Sequence, residues 1–203
     1  MSSKEKLVKE AFELPTKLGE IPFSVVVKVS SGYDVLPIDM ANTEDKELIE
    51  TIKKLLAEYM KVSLSSHPAF KGKRINDVGR QIEPQIRHEL NRAPFEVELL
   101  GKAGYPDMKL TYKGKVTYLE MKTTSTISQS RLRTFYYTGG KKLTTTAHHL
   151  LLLILASPAG TDYWKIDSLT LSDLSGLSVK LKPEFNANKT DLMNVSARLF
   201  SVK

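Results

Sequence analysis

Two runs of alternating polarity flank Lys113-Gly114, and a two-residue turn between them dictates how residues 107–123 pack. The first run is Asp107-Met-Lys-Leu-Thr-Tyr112; the second is Val116-Thr-Tyr-Leu-Glu-Met-Lys-Thr123. Successive side chains of a strand point to opposite faces. A symmetric turn therefore sets Met108 opposite Leu119 and Leu110 opposite Thr117, with Met121 close by, on a face suited to a core. On the reverse face the same register sets Asp107 opposite Glu120 and places Lys122 beside them. Like charges directly opposed across a sheet repel unless something positive lies between them.

A divalent cation supplies that positive charge. Hard ions such as Mg²⁺ take oxygen ligands and keep several waters. A neighbouring lysine can orient or deprotonate an attacking water, or stabilise charge on phosphate oxygens. Two carboxylates and a lysine on one hairpin thus form the set that metal-assisted phosphodiester hydrolysis needs. Charged hairpins are common, and a loose D…ExK spacing arises by chance in lysine-rich chains; the register is what gives these residues a geometric reason to converge.

Composition is permissive around this site. The 203 residues suit one domain with a sizeable core. Within it, residues 1–40 are a candidate N-terminal extension, residues 75–155 carry the site and residues 160–203 form a strand-rich tail. A net charge of +7 and a pI near 9.4 favour a polyanionic partner, although many merely basic proteins share that charge. The absence of cysteine excludes disulfides, thiolate zinc sites and cysteine nucleophiles. The charged, amphipathic N-terminus lacks a secretory apolar stretch, and the longest apolar run, Leu150–Ala156, is too short to cross a bilayer and suits a buried strand. The expected compartment is the cytoplasm, with no membrane partner.

Along the chain, the pattern predicts a helix over residues 4–14 and a strand over Phe23–Val29 ending at Ser31-Gly32. A second helix over Glu44–Tyr59 carries the stripe Leu48, Ile52, Leu55, Leu56 and Tyr59. A basic loop over residues 67–74 leads to Asn76 as N-cap of a third helix reaching about Arg92, with Val78, Ile82, Ile86 and Leu90 at every fourth position. Pro84 must kink that helix or delay its start. Glu83, beside the apolar stripe, is either an exposed helix glutamate or a third carboxylate delivered to the hairpin, and Glu89 is the alternative. Lys73, Arg74, Thr123, Thr124, Ser125, Arg131, Arg133, Lys141 and Lys142 supply the cations and hydroxyls suited to phosphates and base edges, any of which also serves a solvated basic loop. Asn186 lies in a polar segment that reads as a groove-contacting loop or, more simply, as a turn. His148-His149 at a strand entry and Trp164 read as structural, and the tail reads as short strands within residues 162–167, 169–171 and 177–189, joined by Ser/Asp/Gly turns.

Taken together, Asn76-Asp-Val-Gly-Arg-Gln-Ile-Glu83, Tyr105-Pro-Asp107, Glu120-Met-Lys122-Thr-Thr, Arg133-Thr-Phe-Tyr-Tyr-Thr and Ala147-His-His-Leu resemble the PD-(D/E)xK nuclease superfamily and, within it, type II restriction endonucleases. The resemblance covers about residues 75–155 and extends weakly through Asn186. It implies a mixed α/β fold with a central mixed sheet flanked by helices, Mg²⁺ as cofactor with Mn²⁺ able to substitute, and a homodimer that cuts double-stranded DNA at a short palindrome to leave 5′-phosphate ends. Carried onto this chain, it makes Asp107 and Glu120 metal ligands together with the Met121 carbonyl. It gives Lys122 the attacking water and Glu83 an assisting role. Two other readings remain: a structure-selective nuclease such as a Holliday-junction resolvase, and a non-catalytic nucleic-acid-binding module. The Arg131–Lys142 segment and long tail exceed what a minimal resolvase needs, and the intact Asp/Glu/Lys set argues against a non-catalytic module.

Overall fold

The computed structural model describes residues 21–66, 69–92, 94–101, 104–125 and 141–179, together with positions 3, 5, 6, 10 and 13. The chain divides into two compact units, residues 1–21 with 178–203, and residues 22–177. A two-residue strand β1 (Ile21–Pro22), whose Ile21 belongs to the first, pairs with β9 (Ser178–Val179). The helix expected over residues 4–14 lies largely outside the described residues, as do the tail residues beyond 179.

The larger unit is organised by one mixed sheet. Its strands run in the order β3 (Phe70–Lys71), β8 (Tyr163–Asp173), β7 (Ala147–Pro158), β6 (Lys115–Thr124), β5 (Met108–Tyr112) and β4 (Glu96–Leu99), and β2 (Val35–Leu36) pairs with the start of β7. The β6–β7 and β2–β7 pairs are parallel and the others antiparallel. This is the mixed, helix-flanked sheet expected of a restriction-endonuclease-like core. The hairpin keeps the register dictated by its turn: Met108 opposes Leu119, Leu110 opposes Thr117 and Tyr112 opposes Lys115. Lys113 and Gly114 have φ of 48° and 77°, the pair of positive angles that a two-residue type I′ turn demands. Both faces of β6 are buried from Thr117 to Met121, because a strand between two neighbours and beneath helices has no solvent side.

Residues 23–29, expected as a strand, instead form helix α1 (Phe23–Ser31). Valine runs favour strands only weakly, and burial decides the outcome. Phe23 and Val27, one helical turn apart, are 3% and 0% exposed, whereas Val29 is 82% exposed. Gly32, at φ 83°, closes the helix by donating its N–H to the Lys28 carbonyl.

Helix α2 (Thr43–Ser66) begins where the Asn42 side chain accepts the N–H groups of Glu44 and Asp45, and it runs beyond the predicted end at Tyr59. Its buried stripe is the expected Leu48, Ile52, Leu56 and Tyr59, with Leu55 packed alongside. Helix α3 (Ile75–Asn91) is capped by Arg74 rather than Asn76: the Asp77 carboxylate accepts the Arg74 N–H at 3.1 Å, and the Asp77 N–H bonds the Arg74 carbonyl at 2.9 Å. Pro84 stays inside the helix. It cannot donate to the Arg80 carbonyl, a loss of roughly 3 kcal/mol. Val78, Ile82, Ile86 and Leu90, all fully buried, each return about 1.5–3 kcal/mol, so the helix continues.

The tail departs from its prediction in one respect. Residues 163–173 form a single strand rather than two, because a bulge at Asp167, between the pairs Ala156–Ile166 and Leu155–Ser168, absorbs the break in alternation. Trp164 packs against the core and its indole N–H bonds the Gly72 carbonyl at 2.8 Å. The short strands β3 and β4 carry too few residues to show a periodic signal.

Candidate active site

The site forms where β6 outruns β5. Glu120 and Lys122 lie two residues apart on β6 and share a face; the Lys122 ammonium pairs with Glu120 Oε1. Glu120 is 2% exposed, and its second oxygen, Oε2, is buried with no hydrogen-bond partner among the described residues. Asp107 stands just ahead of β5, where its Oδ2 accepts the Met121 N–H at 2.7 Å. Burial, followed by the nearby Asp107 charge, pushes the Glu120 carboxyl from its ordinary 4.5 up to about 7, and Lys122 and Lys142 pull it back. The hairpin therefore brings Asp107, Glu120 and Lys122 together as the register requires.

Glu83 reaches the same site from α3. Burial raises its pKa first and the Asp107 charge adds to the rise, while Lys122 and Arg80 oppose it. The alternative, Glu89, pairs instead with Arg92 at 3.0 Å. What lets Glu83 approach is Gly79, one turn earlier. A Cβ at that position would stand 3.0 Å from Thr123 Oγ1 and 3.5 Å from a Glu83 carboxylate oxygen. Among the described residues, no three histidine, aspartate or glutamate side chains gather into a metal cage, and Glu83 faces the pair through the charge of Asp107.

The donor set nevertheless suits a hard cation. Mg²⁺ is commonly held by one or two carboxylates with water and substrate oxygens completing its shell. Glu120 Oε2 is a buried, unpartnered carboxylate oxygen, which is costly to leave uncompensated. The Met121 backbone fits as well. Its N–H points to the β5 side, toward Asp107, and the carbonyl of a strand residue points the same way as its N–H. Continuing the ladder would set Met121 opposite Pro106, which has no N–H to donate.

The residues assigned to DNA separate into groups. Lys73, Arg74 and Lys141 are exposed, and Ser125 is half-buried. Thr124 is 2% exposed, and the Thr123 hydroxyl is buried against α3. Lys142 turns inward, where its ammonium donates to the Gly104 carbonyl and to the Pro106 carbonyl at 2.9 Å. Burial lowers its pKa, against the pull of Asp107 and Glu120. Arg131, Arg133 and Asn186 lie outside the described residues.

Other residues around the site carry little signal in the sequence. Arg80 acts on Glu83 from three residues earlier on the same helix face, a spacing that could have marked it. His149 shares a 2.6 Å hydrogen bond with the Tyr105 hydroxyl, and the two rings stack at 15°. Phe23 and Tyr118 pack on the same imidazole, whose pKa falls to about 4 chiefly through burial. His148 is structural too, bonded to Asp45 at 3.2 Å and to the Leu36 carbonyl at 3.1 Å.

With this geometry the sequence matches known proteins closely. The sequence model of the type II restriction enzyme MjaV family matches residues 17–196. Type II restriction enzyme MjaV of Methanocaldococcus jannaschii is 33% identical over 196 residues, covering 85% of each chain. The chain therefore belongs to the type II restriction enzyme MjaV family, a family of site-specific deoxyribonucleases.

Proposed function

We propose that this protein is a Mg²⁺-dependent endonuclease of the PD-(D/E)xK type that hydrolyses double-stranded DNA at a specific sequence, with Asp107, Glu120 and the Met121 carbonyl as its metal ligands. One observation carries the metal reading: Glu120 is buried beside Asp107 with an oxygen that nothing in the described protein satisfies. Bound there, Mg²⁺ or Mn²⁺ would offset the two carboxylates, polarise a phosphoryl oxygen and make water more acidic. Lys122 orients the attacking water and offsets charge on the phosphate. Glu83 adds negative charge from α3 beside Lys122. Water attacks phosphorus in line, the bond to the 3′-oxygen breaks, and that oxygen takes a proton, leaving 5′-phosphate and 3′-hydroxyl ends.

Lys73, Arg74 and Lys141 are the exposed cations proposed to meet phosphates, supported by the net charge of +7. A palindromic duplex presents two equivalent strands, so a homodimer with one site per chain accounts for a double-strand cut. The cytoplasm, where DNA is accessible, is the proposed compartment; among the described residues no helix is long and apolar enough to cross a membrane.

The test is incubation with long unmodified duplex DNA in the presence of Mg²⁺, of Mn²⁺ and of a chelator. Discrete fragments with either metal and intact DNA with chelator are expected. Cutting confined to branched DNA would replace this reading with a junction-resolving enzyme, and binding without cleavage would overturn the catalytic assignment.

A further inference from the structure

The segment that presents Asp107 has little regular structure to hold it, because β5 begins only at Met108. Its position depends on individual hydrogen bonds. The Asp107 carbonyl accepts the Leu100 N–H at 3.1 Å, its carboxylate accepts the Met121 N–H, and the Tyr105 hydroxyl bonds His149. Lys142, some 36 residues further along the chain, donates to the carbonyls of both Gly104 and Pro106. Those two carbonyls bracket Tyr105 and immediately precede Asp107.

A lysine near a nuclease centre invites assignment as a phosphate contact. Here two of the three ammonium protons are already committed to carbonyls, the side chain is half-buried, and its charge acts on Asp107 and Glu120. We propose that Lys142 is a positioning residue: it clamps the Gly104–Pro106 backbone so that Asp107 stays opposite Glu120, and it holds positive charge beside that pair before a cation arrives. The inference rests on the reading of Asp107 and Glu120 as the acidic centre. A charged donor suits the task, since hydrogen bonds from an ionised group are about twice as strong as neutral ones. Such supporting contacts typically carry about 10–100-fold in metal affinity or activity.

The deciding measurement is amide hydrogen exchange in protein free of metal and DNA, read at Met121, whose N–H is protected only while Asp107 is in place. Lys142→Met should raise exchange at Met121 and through residues 104–108 by at least about 10-fold, while Lys142→Gln, which keeps a donor, retains most of the protection. In parallel, calorimetric Mg²⁺ titration of Lys142→Met should need about 10-fold more metal for half-saturation. Its affinity for long duplex DNA, and the dependence of that affinity on salt, should match wild type. Unchanged exchange at Met121 in both variants would overturn the clamp. Unchanged exchange with a salt dependence reduced by about one counterion would show a phosphate contact instead. If the wild-type protein fails to bind Mg²⁺ or cut DNA, the reading of the acidic centre falls, whereas the exchange experiment still decides what Lys142 does.

Discussion

Glu120 shows how one residue divides stability from function. Its folded pKa of about 7 lies above its ordinary 4.5, so its contribution to stability is fully present below pH 4.5 and is lost as pH rises through 7. Glu120→Gln should therefore stabilise the metal-free protein at pH 8, by on the order of 3 kcal/mol, and abolish cleavage. Thermal unfolding with chelator checks the first outcome, and cleavage of duplex DNA the second; a variant no more stable than wild type would count against a strained carboxylate. Asp107→Ala and Lys122→Ala should each slow cleavage by about 10³-fold or more while leaving the circular dichroism spectrum unchanged. Asp107, Glu120 and Lys122 were legible because all three follow from the parity and register of one hairpin. Lys142 was not, since its bonds to Gly104 and Pro106 join segments that no local rule connects. The Tyr105–His149 bond was hidden for the same reason.

At the scale of elements, the contact between α3 and β6 decides whether Glu83 belongs to the site. Gly79 allows it, because a Cβ there would crowd Thr123 at both Oγ1 and Cβ, 3.0 Å and 3.3 Å away. Thr123 pairs with Ile154 in the sheet and has little freedom to retreat. Alanine is the better helix former by about 1 kcal/mol. The crowding should nonetheless win, so Gly79→Ala is expected to lower Tm by several degrees and slow cleavage about 10-fold, with Thr123→Ala added to it restoring part of both. A Gly79→Ala protein that is more stable and fully active would show that α3 shifts without consequence. The helices α2 and α3 were legible from fourfold apolar spacing, and Pro84 did not break α3 because four fully buried side chains outweigh one lost backbone bond. α1 was misread because Val25, Val26 and Val29 fill out an apolar run whose buried members are only Phe23 and Val27.

Across the whole molecule, two buried groups oppose each other in pH. His149, lowered from 6.5 to about 4, contributes stability above pH 6.5 that is lost as pH falls toward 4. Between about pH 4.5 and 6.5 it gains as pH rises, at close to 1.4 kcal/mol per unit, while Glu120 loses at a similar rate. Glu83, also raised, acts with Glu120. Metal-free wild type should thus be nearly flat in stability over this window, tilting slightly downward. Glu120→Gln should make stability rise with pH, and His149→Gln should make it fall. Urea unfolding at several pH values with chelator reads these slopes, and parallel profiles for all three proteins would contradict the opposed pair.

The sequence by itself determined the hairpin register, the two long amphipathic helices and the acidic face with its lysine, because each is set by a repeat of two or four residues or by a turn of fixed geometry. Only the tertiary structure decided that residues 23–31 are helical, that residues 163–173 form one bulged strand, that Thr123 and Thr124 turn inward, and that Lys142 serves the acidic site from within. Each of these depends on which surfaces are buried together, and burial is a property of the assembled fold that a local pattern does not carry.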